Sequence, residues 1–245
     1  MRFYEFGTEN SIKLLLIHGM STTWKMSFGD FIKKAQNDFH IIAVALDGHN
    51  PAEESELITV EEEAKKVEQY LLEKHNGKVD VVYGSSLGGT VVFHMLMSNQ
   101  VKVQTAICDG TMMLNYGILA KPAAKFMASI SSKMAKGEAK FMMKLLGIES
   151  KEVLEQKMYI GASKTTIYNS CMGCYNAEIP ENYSATTDIH LWYGSKETEP
   201  PKFAKKLKKK DAKVSIKVFE NYGHGGLLEY PDELVNEICK TMKKQ

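Results

Sequence analysis

Val79-Asp80-Val81-Val82-Tyr83-Gly84-Ser85-Ser86-Leu87-Gly88-Gly89 is the stretch on which the reading of this chain turns. Its first five residues are rich in β-branched side chains and predict a buried strand, while Thr90 to Ser98 is an apolar, helix-like run. The Gly84-x-Ser86-x-Gly88 pattern between them predicts a tight corner that exposes a serine hydroxyl at the carboxyl edge of a sheet. Glycine is needed at both flanks, because a side chain there would collide with the neighbouring strand and helix. Ser86 is the central serine, and Ser85 lies one place early and is expected to point back into the fold. The competing reading of Ser86 is a buried turn serine without chemistry.

Outward from this corner the chain alternates. Ile12 to Ile17 and Ile41 to Leu46 are near-continuous apolar runs, as expected of strands covered on both faces. Phe28 to Asn37 reads as a helix. Thr59 to His75 is a better-marked one, with Thr59 as cap, Glu61 to Glu63 at the positive end and Gly77 after its close. A strand at Val103 to Cys108 follows the helix after Ser86. Alternation returns with strands at Ile189 to Tyr193 and Val214 to Phe219, and helices near Pro201 to Lys209 and from Pro231 to about Met242. Such a pattern predicts an α/β fold with a mostly parallel sheet, helices on both faces, and ligands beyond the carboxyl ends of the strands.

The alternation breaks between Thr111 and Ser184. This stretch is helix-like and holds Met112, Met113, Met127, Met134, Met142, Met143, Met158 and Met172, more than half of the chain's 14 methionines. We expect a sheet domain over 1–110 and 185–245 with a helical cap inserted at 111–184. Flexible, polarisable methionines suit a lining that accepts varied apolar ligands, and equally suit packing of cap on core.

Composition narrows the classes. The chain has 245 residues, 44% hydrophobic and 25% charged, with a formal net charge of +1. That balance argues against a nucleic-acid partner, which needs a concentrated basic face. The basic run Lys205 to Lys210 reads as the solvated side of a short helix. No apolar run approaches the ~18 residues that span a bilayer, and the start lacks the layout of a secretion signal. No membrane partner is therefore expected, and a cytoplasmic location is. Cys108, Cys171, Cys174 and Cys239 do not make a disulfide framework, and the lone Cys171-x-x-Cys174 reads as structural thiols.

A serine hydroxyl is a poor nucleophile until a base takes its proton. His224 is the candidate, in the glycine-rich loop Asn221-Tyr222-Gly223-His224-Gly225-Gly226 between the last strand and last helix. His49 is a weaker one; His40, His75, His94 and His190 are poorly placed, and His18 is expected to brace its own loop. A carboxylate must orient the imidazole. Glu197, just past the end of a strand, is the choice, with Asp109 and Glu199 left as rivals. The oxyanion that develops on a carbonyl needs backbone N–H donors. The amide of Leu87 and that of Met20, after His18-Gly19, are the candidates.

At these points the chain resembles the α/β-hydrolase family. The resemblance rests on Leu16-Ile17-His18-Gly19-Met20, Gly84-Ser85-Ser86-Leu87-Gly88-Gly89, Gly194-Ser195-Lys196-Glu197 and Gly223-His224, in the family's order of nucleophile, acid and histidine. It implies the α/β-hydrolase fold with a helical cap, a triad of Ser86, His224 and Glu197, and oxyanion amides at Met20 and Leu87. It implies a serine hydrolase acting on a small ester or thioester, with no cofactor and no metal. Two departures stand out: Glu197 where the family most often has aspartate, and an altered loop at Asp47 to Pro51. Dehalogenase and epoxide hydrolase chemistry use a carboxylate nucleophile and are disfavoured by Ser86. Peptidase, lactonase, carbon–carbon hydrolase and acyltransferase keep the same triad. The alternative from another class is a ligand-sensing protein that hydrolyses slowly or not at all.

Overall fold

Strand residues alternate sides with a period of two, so a strand apolar at every position must be covered on both faces. β2 (Lys13–Ile17) and β3 (His40–Ala45) meet that condition from Leu14 and Ile41 onward. Leu15, Ile17, Ile42 and Val44 join one core cluster, whereas Leu14, Leu16, Ile41 and Ala43 join another. Full burial of such a side chain contributes about 1.5–3 kcal/mol.

The computed structural model describes residues 1–140, 150–179 and 186–242. β1 (Arg2–Phe6), β2, β3, β4 (Lys78–Ser85), β5 (Lys102–Asp109), β6 (Asp188–Gly194) and β7 (Ser215–Phe219) form one sheet in the order β1-β3-β2-β4-β5-β6-β7. β1 pairs antiparallel with β3, and every other pairing is parallel. Helices α1 (Trp24–Ala35), α2 (Val60–His75) and α3 (Leu87–Ser98) cover the first half. α2 and α3 share the cluster that holds Leu15 and Ile17, and α1 shares the other.

The local starts follow capping chemistry. Thr59 accepts from the amide of Glu62 to open α2, and Asn76 closes it in the left-handed conformation, with φ 53°. α1 begins at Trp24, four residues before the predicted start at Phe28, because the Thr23 hydroxyl oxygen accepts from the Met26 amide at 3.2 Å. β1 was not anticipated as a strand.

The stretch between β5 and β6 is helical where it is described. A 3-10 turn (Gly117–Leu119) leads into α4 (Ala120–Ala135), followed by α5 (Lys151–Lys157) and α6 (Lys164–Tyr175). Small side chains let α4 and α6 approach closely: Ala124, Ala128, Ile167 and Cys171 form their contact, with Met20, Met127 and Met172 against it. Met113 instead lies wholly buried in the sheet core. Met142, Met143 and residues 180–184 of the expected cap lie outside the described residues.

Four hydrogen bonds tie this helical layer to the loops beneath. The Leu57 amide donates to Thr166 Oγ1 at 3.3 Å, and Asn169 Nδ2 to the Leu57 carbonyl at 2.9 Å. The Tyr159 amide donates to the Ser21 carbonyl at 2.8 Å, and the Ser163 hydroxyl to Glu56 at 2.7 Å. After β6 the chain forms α7 (Pro200–Lys210), and after β7 it forms α8 (Pro231–Met242). Among the described residues, no helix is long and apolar enough to cross a membrane.

Candidate active site

The corner after β4 is set by close approach of backbone. A Cβ on Gly84 would stand 2.6 Å from the Gly88 backbone, and one on Gly88 would land on the Ile17 carbonyl of β2. Ser86 between them is held at φ 53°, ψ −114°, a conformation that costs a non-glycine residue about 1–3 kcal/mol. The corner is fastened on its other side, where the Ser86 amide donates to the Asp109 carbonyl at 2.7 Å.

His224 arrives from the loop after β7, and Glu197 from the loop after β6. The two loops are stitched together: the Lys196 amide donates to the Tyr222 carbonyl at 3.0 Å, and the Asn221 amide to the Ser195 hydroxyl at 2.9 Å. The result is a continuous chain of groups. His224 Nε2 lies 2.9 Å from Ser86 Oγ, and His224 Nδ1 lies 2.6 Å from Glu197 Oε2. Glu197 Oε1 accepts from the Gly194 amide at 2.8 Å, so both carboxylate oxygens are engaged. With Nδ1–H donating to the carboxylate, the Nε2 lone pair faces the serine hydroxyl.

The electrostatics agree with that tautomer. The hydrogen bond to Glu197 raises the His224 pKa above its ordinary value, and partial desolvation opposes the rise. The Glu197 side chain is 4% exposed, whereas the His224 side chain is 51% exposed. The imidazole therefore meets solvent on one edge and a fixed carboxylate on the other.

Asp109, the rival acid, is differently engaged. Its Oδ2 accepts from the Tyr83 hydroxyl at 2.5 Å, and burial pushes its pKa up to about 6 even though that bond pulls the other way. Glu199 stands just before α7, makes no capping hydrogen bond with its side chain, and pairs with Lys202 at 2.7 Å. Gly110, not among the residues expected at the site, stands against His224 and Glu197. A Cβ on this residue, which has φ +59°, would stand 3.1 Å from the His224 ring and 3.2 Å from Glu197 Oε2. Its position directly after a strand-end aspartate was the available signal.

The Leu87 amide belongs to the first turn of α3, whose N–H groups have no intrahelical acceptor. The loop carrying Met20 passes against Ser86: a Cβ on Gly19 would be 3.3 Å from Ser86 Cβ. His18 braces that loop. Its Nδ1 lies 2.8 Å from the Gly19 carbonyl, and its Nε2 accepts from the Leu46 amide at 3.2 Å. Complete burial lowers its pKa to about 3, so the ring is neutral. His49 is buried with Nδ1 3.0 Å from the Asp47 carbonyl. His94 lies 3.7 Å from Glu61, and His190 lies 3.2 Å from Asp188. Cys171 and Cys174 are free, and burial pushes their thiols up to about 12 and about 11, so neither is a thiolate at neutral pH.

A hydroxyl, an imidazole and a carboxylate so linked can move a proton from the hydroxyl onto the ring while the carboxylate steadies the charge. A model of the alpha/beta hydrolase family matches residues 14–237. Among solved structures, a protein from Desulfitobacterium hafniense described as of the alpha/beta hydrolase family superposes with TM-score 0.85 at 23% identity, covering 98% of this chain and 100% of that one. A thermophilic esterase from Thermogutta terrifontis gives 0.75 at 19%, covering 99% and 93%. MenH from S. aureus gives 0.77 at 17%, covering 99% and 97%. At these identities the likeness is one of fold. No curated protein matches the sequence.

Proposed function

Because this chain belongs to the alpha/beta hydrolase family, we propose that it is a serine hydrolase of small carboxylic esters or thioesters, working through an acyl-enzyme. Ser86 Oγ attacks the substrate carbonyl as His224 Nε2 takes its proton. The tetrahedral oxygen settles between the amides of Met20 and Leu87. The carbon–oxygen or carbon–sulfur bond to the leaving group then breaks, and His224 returns the proton to that group. Water, deprotonated by the same imidazole, attacks the acyl carbonyl; the bond to Ser86 Oγ then breaks, His224 returns the proton to that oxygen, and the carboxylic acid leaves.

The observation that carries this reading is the unbroken path from Ser86 Oγ through both His224 nitrogens to Glu197, with contacts of 2.9 and 2.6 Å. Glu197 acts as the orienting acid, supported by its burial and by its second hydrogen bond to Gly194. Met20 and Met127, packed where α4 and α6 meet, suit a substrate with an apolar acyl group.

The test is a fluorophosphonate probe together with a graded panel of p-nitrophenyl esters and acyl thioesters. We expect single labelling at Ser86. Ser86→Ala should stay folded and lose hydrolysis by about 10³-fold or more. Absence of labelling, or retention of most activity in Ser86→Ala, would overturn the assignment.

A further inference from the structure

The opposite end of the sheet from Ser86 holds a second cluster that hydrolysis does not use. Glu5 lies on β1, His40 opens β3, and His75 ends α2. Glu5 faces Ile42 across the antiparallel pair, so His40, two residues along, shares its face. That is the face on which α2 packs through Val60, Ala64, Val67 and Leu71, and the helix delivers His75 at its end.

We propose that Glu5, His40 and His75 form a site for a divalent transition-metal cation of the zinc type. One donor atom from each of the three residues lies within 4.8 Å of the others. His75 Nε2 is 3.4 Å from Glu5 Oε1. Donors bound to tetrahedral zinc at ~2.0–2.1 Å stand about 3.3 Å apart, so this pair is already at coordination spacing. His75 is 5% exposed, and its buried Nε2 meets only that Glu5 oxygen, outside good hydrogen-bonding geometry, a state that buried polar atoms rarely keep. A cation accepting its lone pair supplies the missing interaction.

The surroundings resemble the outer support of a metal site. Tyr70 donates its hydroxyl proton to Glu5, and its ring stacks on Phe3 at 3.7 Å, which fixes the carboxylate that would ligate. Two imidazoles and one carboxylate favour zinc, cobalt or nickel over calcium or magnesium, which take all-oxygen sets. His40 Nε2 hydrogen-bonds Glu5 directly. The cation replaces the proton of that bond, which leaves to solvent. Bound metal would clip β1 to β3 and α2, with a fourth position left for water.

The experiment is calorimetric titration of metal-stripped protein with ZnCl2, with CoCl2 absorption as a coordination signature. We expect one equivalent of zinc to bind and to raise Tm, and cobalt to give the visible bands of a low-coordinate nitrogen–oxygen site. His75→Ala and Glu5→Gln should lose stoichiometric binding, and Tyr70→Phe should weaken it about 10–100-fold. Ester hydrolysis should be unchanged in all three, which separates lost ligation from misfolding. The proposal is overturned if the wild-type protein binds no zinc at micromolar concentrations. Binding that survives His75→Ala but vanishes in Cys174→Ser would overturn it equally.

Discussion

The Tyr83 hydroxyl donates to Asp109 Oδ2 across 2.5 Å, inside the sheet and directly beneath the serine corner. Two carboxylates, one ending β5 and one in the loop after the adjacent β6, thus lie near one imidazole, and they hold different partners. Glu197 takes the Nδ1 of His224, and Asp109 takes a phenol.

That division separates the two acids by experiment. Burial raises the Asp109 pKa from 3.8 to about 6, so the folded state binds a proton more tightly than the unfolded state does. Its contribution therefore falls as pH rises between about 4 and 6, and at pH 8 the ionised group costs about 3 kcal/mol, to an order of magnitude. Asp109→Asn should raise Tm at pH 8, with the gain vanishing toward pH 4, and should keep most hydrolytic activity. Thermal melts across that range check it, and a loss of activity matching that of Glu197→Gln would contradict it.

Glu197→Gln should lower kcat by about 10² to 10⁴-fold. The Glu197 hydrogen bond is the main cause of the raised His224 pKa, so its loss lets that pKa fall. The acid limb of the residual pH–rate profile should move to lower pH. A limb that stays in place would show that Glu197 does not govern the ring.

At the corner, Gly88→Ala asks for a methyl group where the Ile17 carbonyl already stands. We expect destabilisation of about 3 kcal/mol or failure to accumulate as soluble protein, measured by urea unfolding. An alanine variant as stable as the parent would mean the corner is looser than described.

His18→Leu keeps the bulk of the ring but leaves the Leu46 amide without its acceptor and frees the Gly19–Met20 turn. Stability should fall by about 1–3 kcal/mol. On the proposed mechanism kcat should fall roughly 10- to 100-fold with KM little changed, because the Met20 amide is assigned to the developing oxyanion. A change confined to KM would place His18 in substrate binding instead.

The parallel core was legible because its central strands carry apolar runs, as at Leu14 to Ile17 and Ile41 to Ala45, and its helices carry caps such as Thr59. β1 was not, since Arg2 to Phe6 interleaves charged and aromatic side chains and becomes a strand only by pairing with β3. α3 starts at Leu87, earlier than the apolar run at Thr90, because packing against β2 overrides the poor helix propensity of Gly88 and Gly89. At the site, the residue types and chain order pointed to Ser86, His224 and an acid. Which acid meets the imidazole depended on the Tyr83 hydroxyl reaching Asp109, two residues beyond its register partner Ile107 on β5, a relation across strands that no local pattern carries. The grouping of Glu5, His40 and His75 was hidden for the same reason.

The four bonds that join Thr166, Asn169, Tyr159 and Ser163 to the loops below act as bolts on the helical layer. Releasing all four costs about 4 kcal/mol, and parting Met20 and Val60 from the helices that rest on them adds to that, so far fewer than one molecule in about a thousand has this layer lifted at room temperature. The outer edge of the His224 ring meets solvent with every bolt in place, so a small molecule reaches it with no door to swing.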